Sequence, residues 1–237
     1  MKKKDLMGKA ILDYQTGNDP QDILTETTIS ESDPMSVAYL FRTFDEMPAI
    51  EQYALKNSCG DVLDVGCGAG SHSLYLQEVK KINVTAIDVS ENSIQTCRMR
   101  GIKNAEVTDV MAFEGKFDTV LLLMNGIGLS GKLTNLTNFL YKLKSLLKPG
   151  GQILVDSSDI IYMFDEDEDG GKWVSADRYY GEVQFTVSYK GEVEEPFNWL
   201  YVVFLMLESY AAKAGLDCRL IMKGEHYDYL AKLTLAE

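Results

Sequence analysis

The sequence has no long hydrophobic run, few histidines and cysteines, and too few basic residues to balance its acidic ones. No apolar stretch approaches the ~20 residues that a membrane-spanning helix requires, which argues against a transmembrane protein. The basic start, MKKKDLMGKAILDYQ, is not followed by the apolar core of a signal peptide. From these absences we expect a cytoplasmic protein without a membrane partner.

Basic residues are outnumbered by acidic ones, 23 to 36, which gives a formal net charge of −13. Nucleic-acid grooves are normally basic, because contacts with phosphates supply most of their binding free energy. The charge balance therefore favours a small-molecule partner over DNA or RNA. The sequence does not indicate an oligomeric state.

Side chains that bind metals are also poorly placed. The cysteines are scattered without metal-site spacing, and in a cytoplasmic chain we expect them to be reduced; they are Cys59, Cys67, Cys97 and Cys218. The acidic run DEDEDGGKWVSAD begins at Asp165 like a calcium-binding loop, but its twelfth position, which needs a glutamate, is Ala176. We expect no metal site.

The middle of the chain alternates between short apolar segments and amphipathic ones. The expected strands are DVLDV, INVTAID, NAEVTD, FDTVLLLM and QILVDSS, and the expected helices between them include SHSLYLQEV, SENSIQTCRMRG and LTNLTNFLYKLKSLL. Ser90 and Gly101 suit the two ends of the second helix. Such alternation predicts an α/β fold with a doubly wound, mostly parallel sheet.

Three glycines follow the first of these strands, in the segment DVLDVGCGAGSHSLYLQ. Gly66, Gly68 and Gly70 would let a ligand approach the backbone at the carboxyl end of the strand, where doubly wound sheets bind ligands. The spacing is G-x-G-x-G, whereas a dinucleotide fingerprint needs its third glycine at the position of Ser71. Asp64 would repel a pyrophosphate but suits a ligand that carries an ammonium group. An NAD-dependent dehydrogenase is therefore disfavoured.

The segment VLDVGCGAG resembles the first motif of the Rossmann-like S-adenosylmethionine-dependent methyltransferases, and four further segments agree in order and spacing. These are VTAIDVS, EVTDVMAF, FDTVLLLMNGIGL and LLKPGGQILV. The resemblance covers roughly residues 60–158 and the closing strand pair. It implies a seven-stranded sheet of order 3-2-1-4-5-7-6 whose seventh strand is antiparallel.

The resemblance also implies a cofactor, S-adenosylmethionine, and a set of residues that bind it. By the family pattern Asp88 holds both ribose hydroxyls, and Asp109 meets the adenine amino group. Arg42, in YLFRTF, could close over the carboxylate of the cofactor or be an ordinary surface arginine. The full set of expected cofactor-binding residues is Arg42, Asp64, Gly66, Cys67, Gly68, Gly70, Asp88, Val89, Asp109, Val110, Asn125 and Gly126.

No catalytic residue is assigned, because direct displacement of an activated methyl group needs a base only when the acceptor arrives protonated. The weak candidates are His72, Asn125 and His226. Family members that methylate nucleic-acid bases or amide nitrogens carry two prolines at the positions where this chain, after Asn125, has Gly-Ile. We therefore expect a small-molecule methyltransferase, and the alternative is a cofactor-binding protein without turnover that acts as a sensor or partner subunit.

The remaining segments are expected to enclose the acceptor. Residues 1–57 are predicted to form an N-terminal arm and a helical cap: a polar arm of about 35 residues, mobile or folded as a cap, and then one or two helices. Residues 58–237 form the sheet domain, into which residues 159–200 are inserted after the fifth strand. This insertion carries nine aromatic residues and a hairpin-like segment, and it is expected to be a lid over the reacting end of the cofactor.

The glycine spacing, Asp64 and Asp88 together predict which ligands stabilise the protein. S-adenosylmethionine and S-adenosylhomocysteine are expected to raise the melting temperature in a thermal-shift assay, because a ligand at a hundred times its Kd adds about 2.7 kcal/mol to the free energy of unfolding. NAD is expected to leave it unchanged. A shift with NAD alone would contradict this assignment.

Overall fold

The structure is a computed structural model that describes residues 4–166, 169, 171–174 and 177–236. Its helices are α1 (Leu6–Thr16), α2 (Ala49–Asn57), α3 (Ser71–Leu74, continued by a π turn at Tyr75–Val79), α4 (Glu91–Met99), α5 (Leu133–Ser145) and α6 (Phe204–Lys213). Its strands are β1 (Ile23–Thr27), β2 (Ser30–Met35), β3 (Val62–Val65), β4 (Val84–Asp88), β5 (Asn104–Val107), β6 (Phe117–Leu122), β7 (Leu147–Ser158), β8 (Glu182–Tyr189), β9 (Glu192–Val193), β10 (Phe197–Leu200), β11 (Leu216–Lys223) and β12 (Asp228–Leu235).

The larger sheet has seven strands in the order β5-β4-β3-β6-β7-β12-β11. The five strands from β5 to β7 are parallel, and β12 runs antiparallel to both of its neighbours. Renumbered from β3 onward, this is the predicted order 3-2-1-4-5-7-6, so the predicted sheet topology is confirmed. The carboxyl ends of β3, β4 and β6 consequently lie side by side at one edge of the sheet.

Both faces of this sheet are covered, as expected for buried parallel strands. One face packs on α5 and α6, where Leu136, Leu140 and Leu207 are fully buried. The other face packs on α2 and on the helical segment after the glycine turn, with Leu55 and Leu76 fully buried. The helical spacing of leucines in α5 therefore has the structural role that its periodicity predicts.

Helix α4 ends as its sequence predicts. The hydroxyl of Ser90 accepts a hydrogen bond of 2.9 Å from the backbone N–H of Ser93, which caps the first turn. At the other end Gly101 has a φ of +91°, a left-handed conformation that suits glycine after a helix. The sequence predicts both of these roles, and the structure confirms them.

A second, five-stranded antiparallel sheet lies outside the larger one, with the order β10-β8-β1-β2 and with β9 paired to β8. Its strands come from two distant parts of the chain, because β1 pairs with β8 from Leu24–Ser188 to Thr27–Phe185. Helix α1 packs on this sheet through Leu6 and Ala10, which are buried against Val187 and Tyr189. The N-terminal segment and the insertion thus share one hydrophobic core.

The N-terminal segment differs in detail from the sequence-based expectation. Residues 1–35, read as a polar arm, contain α1 and the β1–β2 hairpin within their described part. Residues 36–48 form two short 3-10 turns, and the regular helix of this region begins at Ala49, directly after Pro48. The polar strand sequences ILTET and SESDPM give little strand signal by themselves; β1 has β2 on one side and β8 on the other.

Among the described residues, none of the helices has the length and apolar character needed to cross a bilayer.

Candidate active site

The turn after β3 has the open backbone that its glycines predict. Gly66, Gly68 and Gly70 all have positive φ, from +52° to +79°. A Cβ on Gly70 would lie 2.3 Å from the side chain of Ile102, whereas a Cβ on Gly68 would meet nothing within 4 Å. Gly70 therefore allows close packing on Ile102, which follows α4, and on Cys97 within α4, and Gly68 leaves open space at the strand ends for a ligand.

Asp64 is buried near the carboxyl end of β3 and is fixed by the helical segment that follows the turn. Its Oδ2 accepts a 2.6 Å hydrogen bond from the hydroxyl of Ser73. Burial raises the pKa of the Asp64 carboxyl above its usual range, while His72 and Ser73 oppose that shift. The acid lies beside the glycine turn, as expected from the motif.

Asp88 ends β4 and connects two loops of the site. Its Oδ2 accepts a 2.9 Å hydrogen bond from the N–H of Gly68, and its Oδ1 accepts one of 2.9 Å from the N–H of Ser90. Burial raises the pKa of this carboxyl, against the lowering effect of the two N–H groups. Each oxygen retains a lone pair, so the carboxylate can accept two further hydrogen bonds from a diol.

The other residues expected around the adenosine occupy the same edge. Val89 is exposed and Val110 is buried, and both line the cavity described below. Asp109 is exposed, and its Oδ1 accepts a 2.8 Å hydrogen bond from the N–H of Met111, so it also caps a local turn. Cys67 is buried with its Sγ 3.7 Å from the Sγ of Cys97, which makes it a packing residue of the turn.

The segment after β6 is strained and is fastened to β7. Met124 and Asn125 are successive non-glycine residues with positive φ, at +64° and +57°. The amide of Asn125 donates to the carbonyl of Leu200 at 3.1 Å and accepts from the hydroxyl of Ser157 at 2.8 Å. Asn125 therefore holds the loop conformation, and its amide is engaged by protein groups.

Asp156 on β7 is buried beneath this loop. Its Oδ1 accepts a 3.0 Å hydrogen bond from the N–H of Gly126. Burial raises the pKa of its carboxyl to about 6, although the backbone N–H groups of Gly126 and Asn125 lower it. Shifted pKa values of this kind are enriched at functional sites.

A buried group of three ionisable side chains lies next to the glycine turn. A terminal nitrogen of Arg42 is 2.6 Å and 2.5 Å from the two carboxylate oxygens of Glu51. Nε2 of His72 is 2.7 Å from Oε2 of the same carboxylate. Arg42 also donates to the carbonyl of Tyr39 at 2.7 Å. The guanidinium that was a candidate for the cofactor carboxylate is thus bound to Glu51.

A cavity of about 660 Å³ unites these features. One wall is formed by the strand ends and turns that carry Asp64, Gly68, Asp88 and Asp109, and Arg42 and His72 also line it. The facing walls are α1 and the five-stranded sheet, through Asp5, Met7, Gly8, Ile11, Thr25, Met35, Phe185, Val187, Phe197, Trp199 and Tyr201. The volume is within the range of small-molecule sites.

Three of the expected site residues, Gly70, Asn125 and His226, do not line the cavity. His226 is exposed in the turn between β11 and β12, where its backbone N–H bonds to Asp228, and it does not line the cavity. Within the part of the chain that the structure describes, no group of three metal-ligand side chains occurs. Asp167, Gly170 and Ala176 of the calcium-like run lie outside the described residues.

Comparison with a solved structure determines the family. A SAM-dependent methyltransferase from Bacteroides fragilis, crystallised with S-adenosyl-L-homocysteine, is 43% identical and superposes with a TM-score of 0.92; the match covers 99% of this chain and 96% of that one. This chain belongs to the S-adenosylmethionine-dependent methyltransferases. A family model described as a methyltransferase domain matches residues 62–151 of the enzyme, which include the glycine turn and strands β3 to β6.

More distant structures share the fold of the methyltransferase. DesVI from Streptomyces venezuelae is 21% identical with a TM-score of 0.58, and the match covers 79% of this chain and 91% of that one. The CcbJ methyltransferase from Streptomyces caelestis is 14% identical with a TM-score of 0.60, covering 79% and 94%. At these identities the similarity concerns the fold alone.

The cofactor of the methyltransferase is S-adenosylmethionine, and the residues at the strand ends suit it. Asp88 has acceptor capacity for a ribose diol, and Gly68 carries no side chain that would obstruct a ligand. Val89 and Val110 offer apolar surface near Asp109. The acidic lining near the turn suits the positive charge of a sulfonium and an ammonium group.

Sequence reasoning missed several residues of this site. Glu51 is a glutamate on the buried face of an amphipathic helix, and that placement is a signal that could have identified it. Asp156, in the apolar segment QILVDSS, is another buried acid of the same kind. Asp5 and Trp199 gave no such signal, because only the tertiary fold brings α1 and β10 to the cavity.

Asp88 and Asp109 are predicted to differ in their importance for the cofactor. Asp88→Ala frees the N–H of Gly68 and, by the family pattern, removes the acceptor expected for two ribose hydroxyls, at about 1.5–3 kcal/mol per bond to a charged group. We expect the Kd of S-adenosylhomocysteine to rise about a hundredfold or more in calorimetry. Asp109→Ala should raise the Kd about tenfold or less. The control is Asp217→Ala, at an exposed position of β11. Equal losses at Asp88 and Asp109 would count against this ranking.

The raised pKa of Asp156 predicts a pH-dependent effect on stability. The native pKa of Asp156, about 6, exceeds the usual 3.8, so folding favours the neutral carboxyl. The contribution of this carboxyl to the free energy of unfolding is lost as the pH rises through 6. The difference corresponds to about 3 kcal/mol. Asp156→Asn should therefore gain stability relative to the wild type between pH 4 and pH 8 in urea unfolding.

The control for this experiment is Asp217→Asn, whose side chain is exposed on β11. Its stability relative to the wild type should change little over the same pH range. A constant difference between Asp156→Asn and the wild type from pH 4 to pH 8 would show that Asp156 has no elevated pKa.

Proposed function

We propose that the enzyme methylates a small molecule, which binds in the same cavity as the cofactor, between the glycine turn and the five-stranded sheet. The observation that carries this proposal is the continuity of the cavity lining. Residues of the glycine turn such as Gly66 and Gly68 share one cavity with Phe185 and Trp199 of the outer sheet and with Tyr201, directly after β10. The cavity volume suits a compact acceptor beside the cofactor.

The outer sheet supplies an aromatic wall for this acceptor. The ring of Phe185 lies 6.4 Å from that of Trp199 and 6.5 Å from that of Tyr201, measured between centroids. Tyr and Trp present large apolar faces together with polar tips, so they bind an organic molecule and also orient it. The formal charge of −13 further supports a small molecule over a nucleic acid.

When bound, S-adenosylmethionine would supply an activated methyl group on its sulfonium, with S-adenosylhomocysteine as the leaving group. The contribution of the chain is to orient the two reactants and to keep water out. Asp88 fixes the ribose end through its ties to both loops, and the turn after β6 borders the reacting end. In this scheme residues 1–57 and the insertion 159–200 act together as a lid, joined by the pairing of β1 with β8.

Trp199 provides a point at which the lid role can be tested. Its indole packs on Gly128, where an added Cβ would lie 2.1 Å from the indole nitrogen. Gly128→Ala and Trp199→Ala are therefore expected to disturb the acceptor wall while leaving the ribose contacts of Asp88 unchanged. Deleting the whole insertion is a poorer test, because it would leave β1 without its partner β8.

The experiment incubates the enzyme with S-adenosylmethionine and a fractionated metabolite extract. We expect S-adenosylhomocysteine to form and one low-mass compound to gain the mass of a CH₂ group. Both variants should bind S-adenosylhomocysteine normally and lose at least tenfold in turnover, whereas Leu205→Ala, 73% exposed on α6, should match the wild type. Methylation confined to macromolecular fractions would contradict the proposal.

A further inference from the structure

His72 is held from one side only. Its Nε2 is bonded to Glu51, and no hydrogen bond engages Nδ1 among the described residues. In the described part of the chain, the fully buried side-chain nitrogen and oxygen atoms without a hydrogen-bond partner are Nε of Arg42 and Oγ1 of Thr96. Nδ1 of His72 is not among them, so this nitrogen is not fully buried. Since the ring lines the cavity, its second nitrogen is accessible from there.

The partner of Nε2 determines where the ring carries its proton. Glu51 is bonded to Arg42 as well as to His72, and although burial raises the pKa of its carboxyl, these two partners lower it below its usual range. A carboxylate only accepts hydrogen bonds, so Nε2 is the donor in the 2.7 Å contact. A neutral ring then has a lone pair on Nδ1.

Burying these three ionisable side chains costs free energy of desolvation, which suggests that the arrangement has a function. The side chains of Arg42 and Glu51 are each only 4% exposed, and that of His72 is 11% exposed. Burying an ion pair in this way often stabilises a protein less than apolar residues of similar size. A carboxylate that orients an imidazole is, however, the arrangement by which proteins make histidine an effective base.

We propose that His72 is the catalytic base, which accepts the proton of a hydroxyl or ammonium acceptor through Nδ1, with Glu51 and Arg42 as positioning residues. This inference rests on the proposed function. An ammonium acceptor would pass its proton to Nδ1 before it attacks, and a hydroxyl would do so as it attacks. The acceptor atom would then bond to the methyl carbon as the carbon–sulfur bond breaks, with that bond's electron pair left on sulfur. The resulting imidazolium is stabilised by the Glu51 carboxylate.

The ionisable groups around the ring come from four segments. They are Arg42 from the loop before α2, Glu51 from α2, Asp64 from β3 and Asp156 from β7. Three of them are acids, so an imidazolium formed during the reaction is in a favourable field. The proposal limits the acceptors to groups that carry a proton to lose, and it excludes thioethers.

The first test needs no knowledge of the acceptor. The chain has two histidines, so His226→Gln leaves a single imidazole for nitrogen NMR of labelled protein with S-adenosylhomocysteine bound. At about pH 8.5, where free imidazole is neutral, we expect the proton on Nε2 and a bare Nδ1. A proton on Nδ1 would overturn the proposal even if methyl transfer is observed.

The second test uses the acceptor found in the metabolite screen. His72→Asn should lower kcat about 10²–10⁴-fold and leave the Kd of S-adenosylhomocysteine unchanged. The loss of kcat should be smaller at high pH, where solvent deprotonates the acceptor. Glu51→Gln keeps a hydrogen-bond acceptor but not the charge, and it should lower kcat less. His226→Gln is the active control. Unchanged kcat in His72→Asn, or an acceptor without a proton to lose, would refute the role of His72.

Discussion

The pairing of β1 with β8 is the interaction on which the active-site cavity depends. Four residue pairs, from Leu24–Ser188 to Thr27–Phe185, join an N-terminal hairpin to an insertion more than 150 residues later in the chain. Backbone groups in such a ladder have no alternative partners away from water. The ladder therefore fixes the outer sheet opposite the carboxyl ends of β3, β4 and β6 and completes the cavity wall.

The cofactor side of the cavity could be predicted from the sequence because its signals are local. Gly66, Gly68 and Gly70 adopt the positive φ angles that only glycine adopts easily, and Asp88 ends the strand that INVTAID predicts. Alternating strands and helices also predict a mostly parallel sheet with covered crossovers, and the resemblance to the family implies its strand order. The residues expected from the family pattern consequently lie together at one edge of the sheet.

The acceptor side could not be predicted in the same way, because its elements depend on tertiary contacts. Strands β1 and β2 have the polar sequences ILTET and SESDPM, and β1 lies between β2 and β8. Glu51 and Asp156 are buried acids whose importance appears only when Arg42, His72 and Gly126 are found beside them. Arg42, a candidate for the cofactor carboxylate, is bound to Glu51 and also lines the cavity.

We propose that one cavity between the two sheets holds both the cofactor and the acceptor. A crystal structure of this methyltransferase with S-adenosylhomocysteine tests it most directly. The account predicts ribose hydroxyls bonded to Asp88 and a sulfur atom directed toward Phe185, Trp199 and Tyr201, with His72 bordering the space between. A sulfur atom directed away from the outer sheet, or a ribose bound elsewhere than Asp88, would contradict the account.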